Sequence, residues 1–273
     1  MSRRNPAREA EKPAATGTRA SAEEIHENVL GDARKELQRP VAALGWSGLG
    51  AGLLIAFSSM GGAYLASIAS PHLADAATAA GYPLGFLFVV LARSQLFTEN
   101  TLEPVLPLLE EPTARTLARL LRLWAIVLAA NLLGAALIAL VIARTGLIQG
   151  PVFSALLQHA RESTEGGFGK VFYLAIFAGW LVALMAWLVA ATHSTGAQIA
   201  IIWLTTAPIS ALGFRHSIAG AVAAFTRAWS GDADLGRMVG GFLLPAILGN
   251  VIGGIALVAL LNHGQVVAGR EGR

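Results

Sequence analysis

Charge is scarce in this 273-residue chain: only 14% of its residues are Asp, Glu, Lys or Arg, about half the share of a soluble domain. Water is therefore not its only solvent. Cysteine is absent altogether, which excludes a disulfide framework, a thiolate metal site and a Cys nucleophile. The sequence pI of about 9.7 taken alone would point to a nucleic-acid partner, but the net charge is only +3 and the basic residues form no single stripe, so none is expected. Metal-ligand spacings such as His-Glu-x-x-His are also missing. Neither a metal nor a cofactor is expected.

What is abundant is apolar. Hydrophobic residues make up 55% of the chain and the mean hydropathy is +0.59. Six apolar segments stand out, at about 41–67, 81–107, 118–143, 170–191, 197–226 and 239–262, each judged against the roughly 20 residues that cross a 30 Å hydrocarbon core. The reading is an all-α integral membrane protein with a six-helix transmembrane domain over 41–262. A polar tail, 1–40, precedes it and a short one, 263–273, follows. The first twenty residues are of disordered composition, whereas Ser21-Ala-Glu-Glu24 opens like a capping box and predicts a short amphipathic helix up to Arg39. Near the span ends, eight Lys and Arg lie on the N-terminal side (Arg34, Lys35, Arg39, Arg115, Arg119, Arg122, Arg270, Arg273). Five lie opposite (Arg144, Arg161, Lys170, Arg227, Arg237). This excess predicts that both termini are cytoplasmic in a bacterial inner membrane.

Two spans are broken by polar residues. The second carries Arg93-Ser-Gln-Leu-Phe-Thr-Glu-Asn100 and the fifth Gly213-Phe-Arg-His-Ser217, both too polar to face lipid as plain helix. Asn131 and Gly134 in the third span match Asn250 and Gly253 in the sixth, 119 residues on, and the same offset carries His216 to Phe97, beside Thr98. Each half holds three spans, an odd number, so a duplicated unit would insert in opposite senses. Inverted repeats with matching interrupted helices point to a substrate site near the midplane. Unwound backbone cannot face hydrocarbon, because each unpaired group costs several kcal/mol there. The half-helix N-termini after the breaks favour an anion, as do Arg215 and His216. Asn131 and Asn250 are expected to pin helix contacts or loop backbone.

At these residues the sequence resembles the formate/nitrite transporter family. The second-span pattern of that family reads here as Gly81-Tyr-Pro-Leu-Gly-Phe-Leu-Phe-Val-Val-Leu91 followed by Gln95-Leu-Phe-Thr98. Its fifth-span motif reads Gly213-Phe-Arg-His-Ser-Ile-Ala-Gly220, and its Leu-Gly-Asn-x-x-Gly-Gly is intact at Leu248 to Gly254. The wording Leu-Phe-Thr-Glu-Asn-Thr is most similar to the YfdC-like branch. The resemblance implies an aquaporin-like fold of two inverted three-helix repeats and a homopentamer with one pore per protomer. Substrates would be small monovalent anions or their conjugate weak acids: formate, nitrite, hydrosulfide, lactate or acetate. It also implies a central pair, His216 and Thr98, a cytoplasmic slit of Phe86 and Phe97, and a periplasmic one of Val182 and Ile209. Three positions depart from the family: Arg215 replaces Glu, Gly220 replaces Asn, and Gly179 stands where a pore-facing Asn is found.

These expectations join in a weak-acid relay. An anion drawn in by Arg215 and helix N-termini passes a dry slit poorly as a charge and becomes permeable when protonated near His216, whose side-chain type titrates near pH 6.5. Each residue also has a plain structural reading: a helix-to-helix hydrogen bond for His216, a bond to its own backbone for Thr98, ion pairing with Glu99 or Glu103 for Arg93 and Arg215, core packing for the Phe rings. His159 and His193 read as solvated span ends. Two further functions stand as alternatives. One is a non-transporting protein on the channel fold. The other is an intramembrane serine hydrolase, since Gly45-Trp-Ser-Gly48 fits the Gly-x-Ser-Gly pattern of rhomboid-type proteases. No companion motif sets His216 against Ser47, and the chain is not expected to be an enzyme.

Overall fold

The computed structural model describes residues 20–271 and is helical throughout, with no strand among the described residues. The expected disorder before residue 20 lies outside the described residues. Helix α1 (Ala22–Glu36) starts at a reciprocal cap: the Glu24 N–H donates to Ser21 Oγ at 3.2 Å, and the Ser21 N–H donates to Glu24 Oε2 at 2.7 Å. Glu23 and Glu24 at its start and Arg34 and Lys35 at its end complement the helix dipole. Its apolar face, Ile25, Val29 and Leu30, is buried in the core.

The chain then crosses back and forth. Helices α2 (Val41–Leu54) and α3 (Ala56–Ile68) form one span; α4 (Ala74–Gly81) and α5 (Pro83–Leu91) return; α6 (Leu106–Glu110) is a single short turn after an irregular stretch. A long α7 (Ala114–Arg144) follows, then α8 (Gly150–Thr164) and α9 (Phe168–Val189). Next come α10 (Thr195–Ala211) and α11 (Ser217–Ser230), and finally α12 (Leu235–Met238), α13 (Leu244–Gly254) and α14 (Leu260–Glu271). Among the described residues, five stretches are long and apolar enough to cross a membrane: Val41–Ile68, Pro71–Leu91, Ala114–Arg144, Phe168–Val189 and Leu235–Gly254. Leu133, Leu137, Leu140, Tyr173 and Leu204 point outward from these helices and from α10, a belt suited to lipid or a neighbouring subunit.

Three segments differ from the sequence expectation. The apolar run 81–107 is helical only to Leu91; beyond it Pro104 and Pro107, which lack an N–H and clash with the preceding turn, leave two 3₁₀ turns and α6 in place of a continuing helix. Residues 74–80, which precede the apolar segment begun at 81, are helical as well. The connection after α7 contains α8, which is amphipathic and buries Leu156, Ala160 and Thr164.

Apolar contact gives little drive between helices in lipid, so close backbone approach matters. Helix α2 packs on α7 and α9 on α13, each through glycines with no room for a Cβ. A methyl group on Gly52 would collide with the backbone of Asn131, and one on Gly179 with the backbone of Asn250.

Candidate functional site

Two buried asparagines hold the two helix breaks with the same set of bonds. Asn131 Oδ1 accepts the Phe97 N–H at 2.8 Å, while its Nδ2 donates to the carbonyls of Gln95 at 2.9 Å and Gly48 at 2.7 Å. Asn250 Oδ1 accepts the Ser217 N–H at 2.8 Å, and its Nδ2 donates to the carbonyls of Arg215 at 2.9 Å and Ala175 at 2.7 Å. A side-chain amide offers one acceptor and two donor hydrogens, and here each finds a backbone partner. Both helices before the breaks also stop alike. Arg93 (φ 52) and Gly213 (φ 65) take the left-handed conformation, and the Ser94 and Phe214 N–H groups reach back to the Val89 and Ile209 carbonyls at 3.0 and 2.9 Å.

The breaks meet at a hydrogen bond. Thr98 Oγ1 lies 2.7 Å from His216 Nε2, and both residues are buried. His216 is the N-cap of α11, its Nδ1 accepting the Ala219 N–H at 3.0 Å. A hydrogen on Nδ1 would oppose that N–H. The network therefore assigns the hydrogen to Nε2, where it donates to Thr98 Oγ1 and leaves the Thr98 hydroxyl proton for another acceptor. The Phe86 ring stands edge-on to the imidazole with centroids 4.9 Å apart, and Tyr82 stands next to Phe86 at 5.5 Å.

A cavity of about 540 Å³ leads to this junction from the side of α8, with Asp75, Tyr82, His159, Ile209, Arg215 and His216 in its wall. Arg215 is 8% exposed and donates through Nη2 to the carbonyls of Glu162 at 2.8 Å and Glu165 at 3.2 Å, at the C-terminal end of α8. There a cation meets the negative end of the helix dipole. Burial, and secondarily the Arg215 guanidinium, push the His159 imidazole down to about 4, so this ring is neutral at neutral pH. The same end of α8 is tied by Asp232, which bonds Arg161 and, at 2.7 Å, Nε of Arg227; Arg227 also donates to Thr164 Oγ1 at 2.9 Å. These bonds, Arg161 first, hold the Asp232 carboxyl below its ordinary value.

Several sequence expectations are redrawn by these positions. The matching bonds relate Gln95 to Arg215 and Phe97 to Ser217, an offset of 120 and not 119. His216 thus corresponds to Leu96 and meets Thr98 by contact across the breaks. Gly179 faces the backbone of Asn250 at a helix crossing, so it is no vacated pore position. Gly220 does line the cavity, and a Cβ there would overlap the Phe242 ring, which occupies that space. Arg215 bonds helix-end carbonyls and not the Glu99 or Glu103 carboxylate of its structural reading. Phe86 turns to His216 and Tyr82, and Phe97 stands against Trp124 at 6.0 Å. Val182 is fully buried on α9. His159, read as a solvated span end, belongs to the cavity. The hydroxyl of Ser47 accepts the Gln95 N–H at 3.0 Å, a bond that helps to fix the break.

The chain matches known proteins along most of its length. A family model described as formate/nitrite transporter covers residues 23–264. The inner membrane protein YfdC of Escherichia coli (strain K12) is 32% identical over 243 residues, 89% of this chain and 78% of that protein. Among solved structures, one described as an FNT family ion channel superposes with a TM-score of 0.75 at 22% identity, over 90% of this chain and 98% of its own. Another, a pentameric formate channel with formate bound, superposes with a TM-score of 0.69 at 20% identity, over 87% and 98%.

Proposed function

The chain belongs to the formate/nitrite transporter family, and from that premise we propose that it is a channel for small monovalent anions or their conjugate weak acids. The observation that carries this reading is the buried Thr98–His216 bond at the meeting point of the two breaks and the inner end of the cavity. YfdC is described as an inner membrane protein, and this chain takes the same location, with both termini cytoplasmic. Its six spans are two inverted three-helix halves, the fifth being α10 and α11 together; the paired Asn131 and Asn250 bonds support that division. Residues 41–262 make the channel domain between the two tails. The pentameric state of the formate channel with a similar fold supports a homopentamer here.

The physics of selection follows from burial. An anion enters the cavity toward Arg215 and reaches a donor chain in which the His216 N–H backs the Thr98 hydroxyl. Moving onward as a bare charge past Phe86, Phe97, Val182 and Ile209 would cost far more than moving as a neutral acid. Protonation at the His216–Thr98 pair, by a proton drawn from cavity water, removes that cost. Arg215, which spends only its Nη2 on α8, raises the local anion concentration without touching the junction.

His216→Ala in proteoliposomes tests this, with formate, nitrite, hydrosulfide, lactate and acetate fluxes measured across pH. A loss of about tenfold, the order of one strong hydrogen bond, with a flattened pH profile is expected. Unchanged flux at every pH removes His216 from the mechanism.

A further inference from the structure

Far from the cavity, two imidazoles and a carboxylate converge where the first and last described helices cross. His26 on α1 is fully buried, and its Nε2 lies 3.2 Å from Nδ1 of His263 on α14. Glu110 closes α6 and brings a carboxylate oxygen to the pair, so that all three ligand atoms lie within 4.8 Å of one another. The Arg34–Glu111 ion pair at 3.0 Å ties that end of α6 to α1. The edge of Trp187 against the His26 ring, centroids 6.4 Å apart, limits its rotation.

Zinc bonds imidazole nitrogen at about 2.0–2.1 Å, which in a tetrahedral site separates two such nitrogens by roughly 3.3 Å. The histidine pair already has that spacing. Glu110 is exposed at a helix end, so its carboxylate can close the remaining ångström or so by side-chain rotation. We propose that His26, Glu110 and His263 form a binding site for a divalent transition metal of the zinc class, with water as the fourth ligand. Two imidazoles and one carboxylate suit Zn²⁺, Co²⁺ or Ni²⁺ and are a poor match for Mg²⁺ or Ca²⁺, which take oxygen. His26 and His263 stand 237 residues apart, so no local spacing advertises the site. A bound ion would fasten α1 to α14 and to α6, the turn that follows the first break. This site does not depend on the transport reading.

The experiment uses the full chain without a histidine tag, purified in detergent, and titrates it with Co²⁺ and then Zn²⁺. One Co²⁺ per protomer, with the intense visible absorption of a tetrahedral site and its loss on adding Zn²⁺, is the expected result. His263→Gln should weaken Zn²⁺ binding roughly 100-fold and Glu110→Gln roughly tenfold, the scale of ligand-sphere changes, while His193→Gln on the exposed surface leaves it unchanged. His263 and Glu110 are partly exposed and exposed, so these variants keep the fold even where a change at buried His26 would not. A Zn²⁺ isotherm for His263→Gln that overlays the unmodified protein overturns the proposal and leaves the pair as a simple N–H···N hydrogen bond.

Discussion

The two breaks are clamped alike and lined differently. Asn131 and Asn250 make the same three kinds of bond, to an N–H inside the break, a carbonyl two residues earlier and a carbonyl on a neighbouring helix. After the first break the chain meets Pro104 and Pro107 and runs through 3₁₀ turns; after the second it enters α11, a regular helix capped by His216. The clamp therefore does not need a following helix. Only the second break faces the cavity, with Arg215 and His216 in its wall. The first supplies Thr98 and otherwise closes on Trp124, whose Nε1 donates to the Asn100 carbonyl at 2.8 Å. Shared backbone bonds set the geometry, while chemistry enters through the residues that differ.

The largest test of that comparison removes a clamp. Asn250→Leu leaves the Ser217 N–H and the Arg215 carbonyl without their side-chain partner in a buried place, while the Ala175 carbonyl keeps its bond within α9, and each unsatisfied group costs about 1–3 kcal/mol. A loss on the order of 3 kcal/mol or more is expected, read as a lower Tm of the purified protein. Asn131→Leu should lose a similar amount. If one variant is harmed and the other is not, the two clamps are not equivalent.

Much of this was legible because hydropathy reports membrane helices directly and a polar run inside an apolar one is conspicuous. Thr98, Arg215 and His216 stand in such runs, and the Asn131 and Asn250 match could be seen by spacing alone. The course of the chain after the first break was not, since Pro104 and Pro107 keep a helix from resuming there without changing the hydropathy of the run. His159 was missed because it reaches the cavity only through α8, which Arg215 holds from 53 residues away. Gly179 was misjudged for a related reason. A glycine in sequence is a missing side chain, and only coordinates reveal that the space belongs to a neighbouring backbone.

Gly220 and Phe242 probe the lining of the second break. Restoring a side chain with Gly220→Asn drives it into the Phe242 ring, and overpacking of this kind costs about 1–3 kcal/mol. Phe242→Ala alone costs about 3–5 kcal/mol for the buried ring, and the double variant should lose clearly less than the two single losses added together, a coupling that additive effects would not give. The double variant also widens the cavity, so its anion flux should exceed that of Gly220→Asn alone. Losses that simply add in the double variant would mean the ring moves aside at no cost.

A smaller effect concerns α8, the cover of the second break alone. Asp232, held below its ordinary range chiefly by Arg161, contributes stability above a pH of about 4 that is lost as pH falls through its lowered value. Arg161 is half exposed, so solvent screening limits the contribution to roughly 1 kcal/mol. Asp232→Asn should lower Tm by a constant amount above pH 5 or so, with the difference from the unmodified protein vanishing at strongly acid pH. A difference that instead grows on acidification would assign the shift to another group.

The smallest expected effect separates the two helix ends that precede the breaks. Gly213 adopts φ 65 without a Cβ to resist it, but Arg93 adopts φ 52 as an ordinary L-residue, at a cost of order 1 kcal/mol. Arg93 is exposed, so its side chain has little packing to lose. Arg93→Gly relieves the strain but gives the unfolded chain more freedom, which offsets part of the gain, and a net stabilisation of about 0.5 kcal/mol is expected. Gly213→Arg imposes the same conformation on a side chain and should destabilise by about 1 kcal/mol. Tm measurements on both variants check the pair. A lower Tm for Arg93→Gly would mean that the Arg93 guanidinium contributes more to the first break than its backbone costs, and the two helix ends would then be alike in shape but not in what holds them.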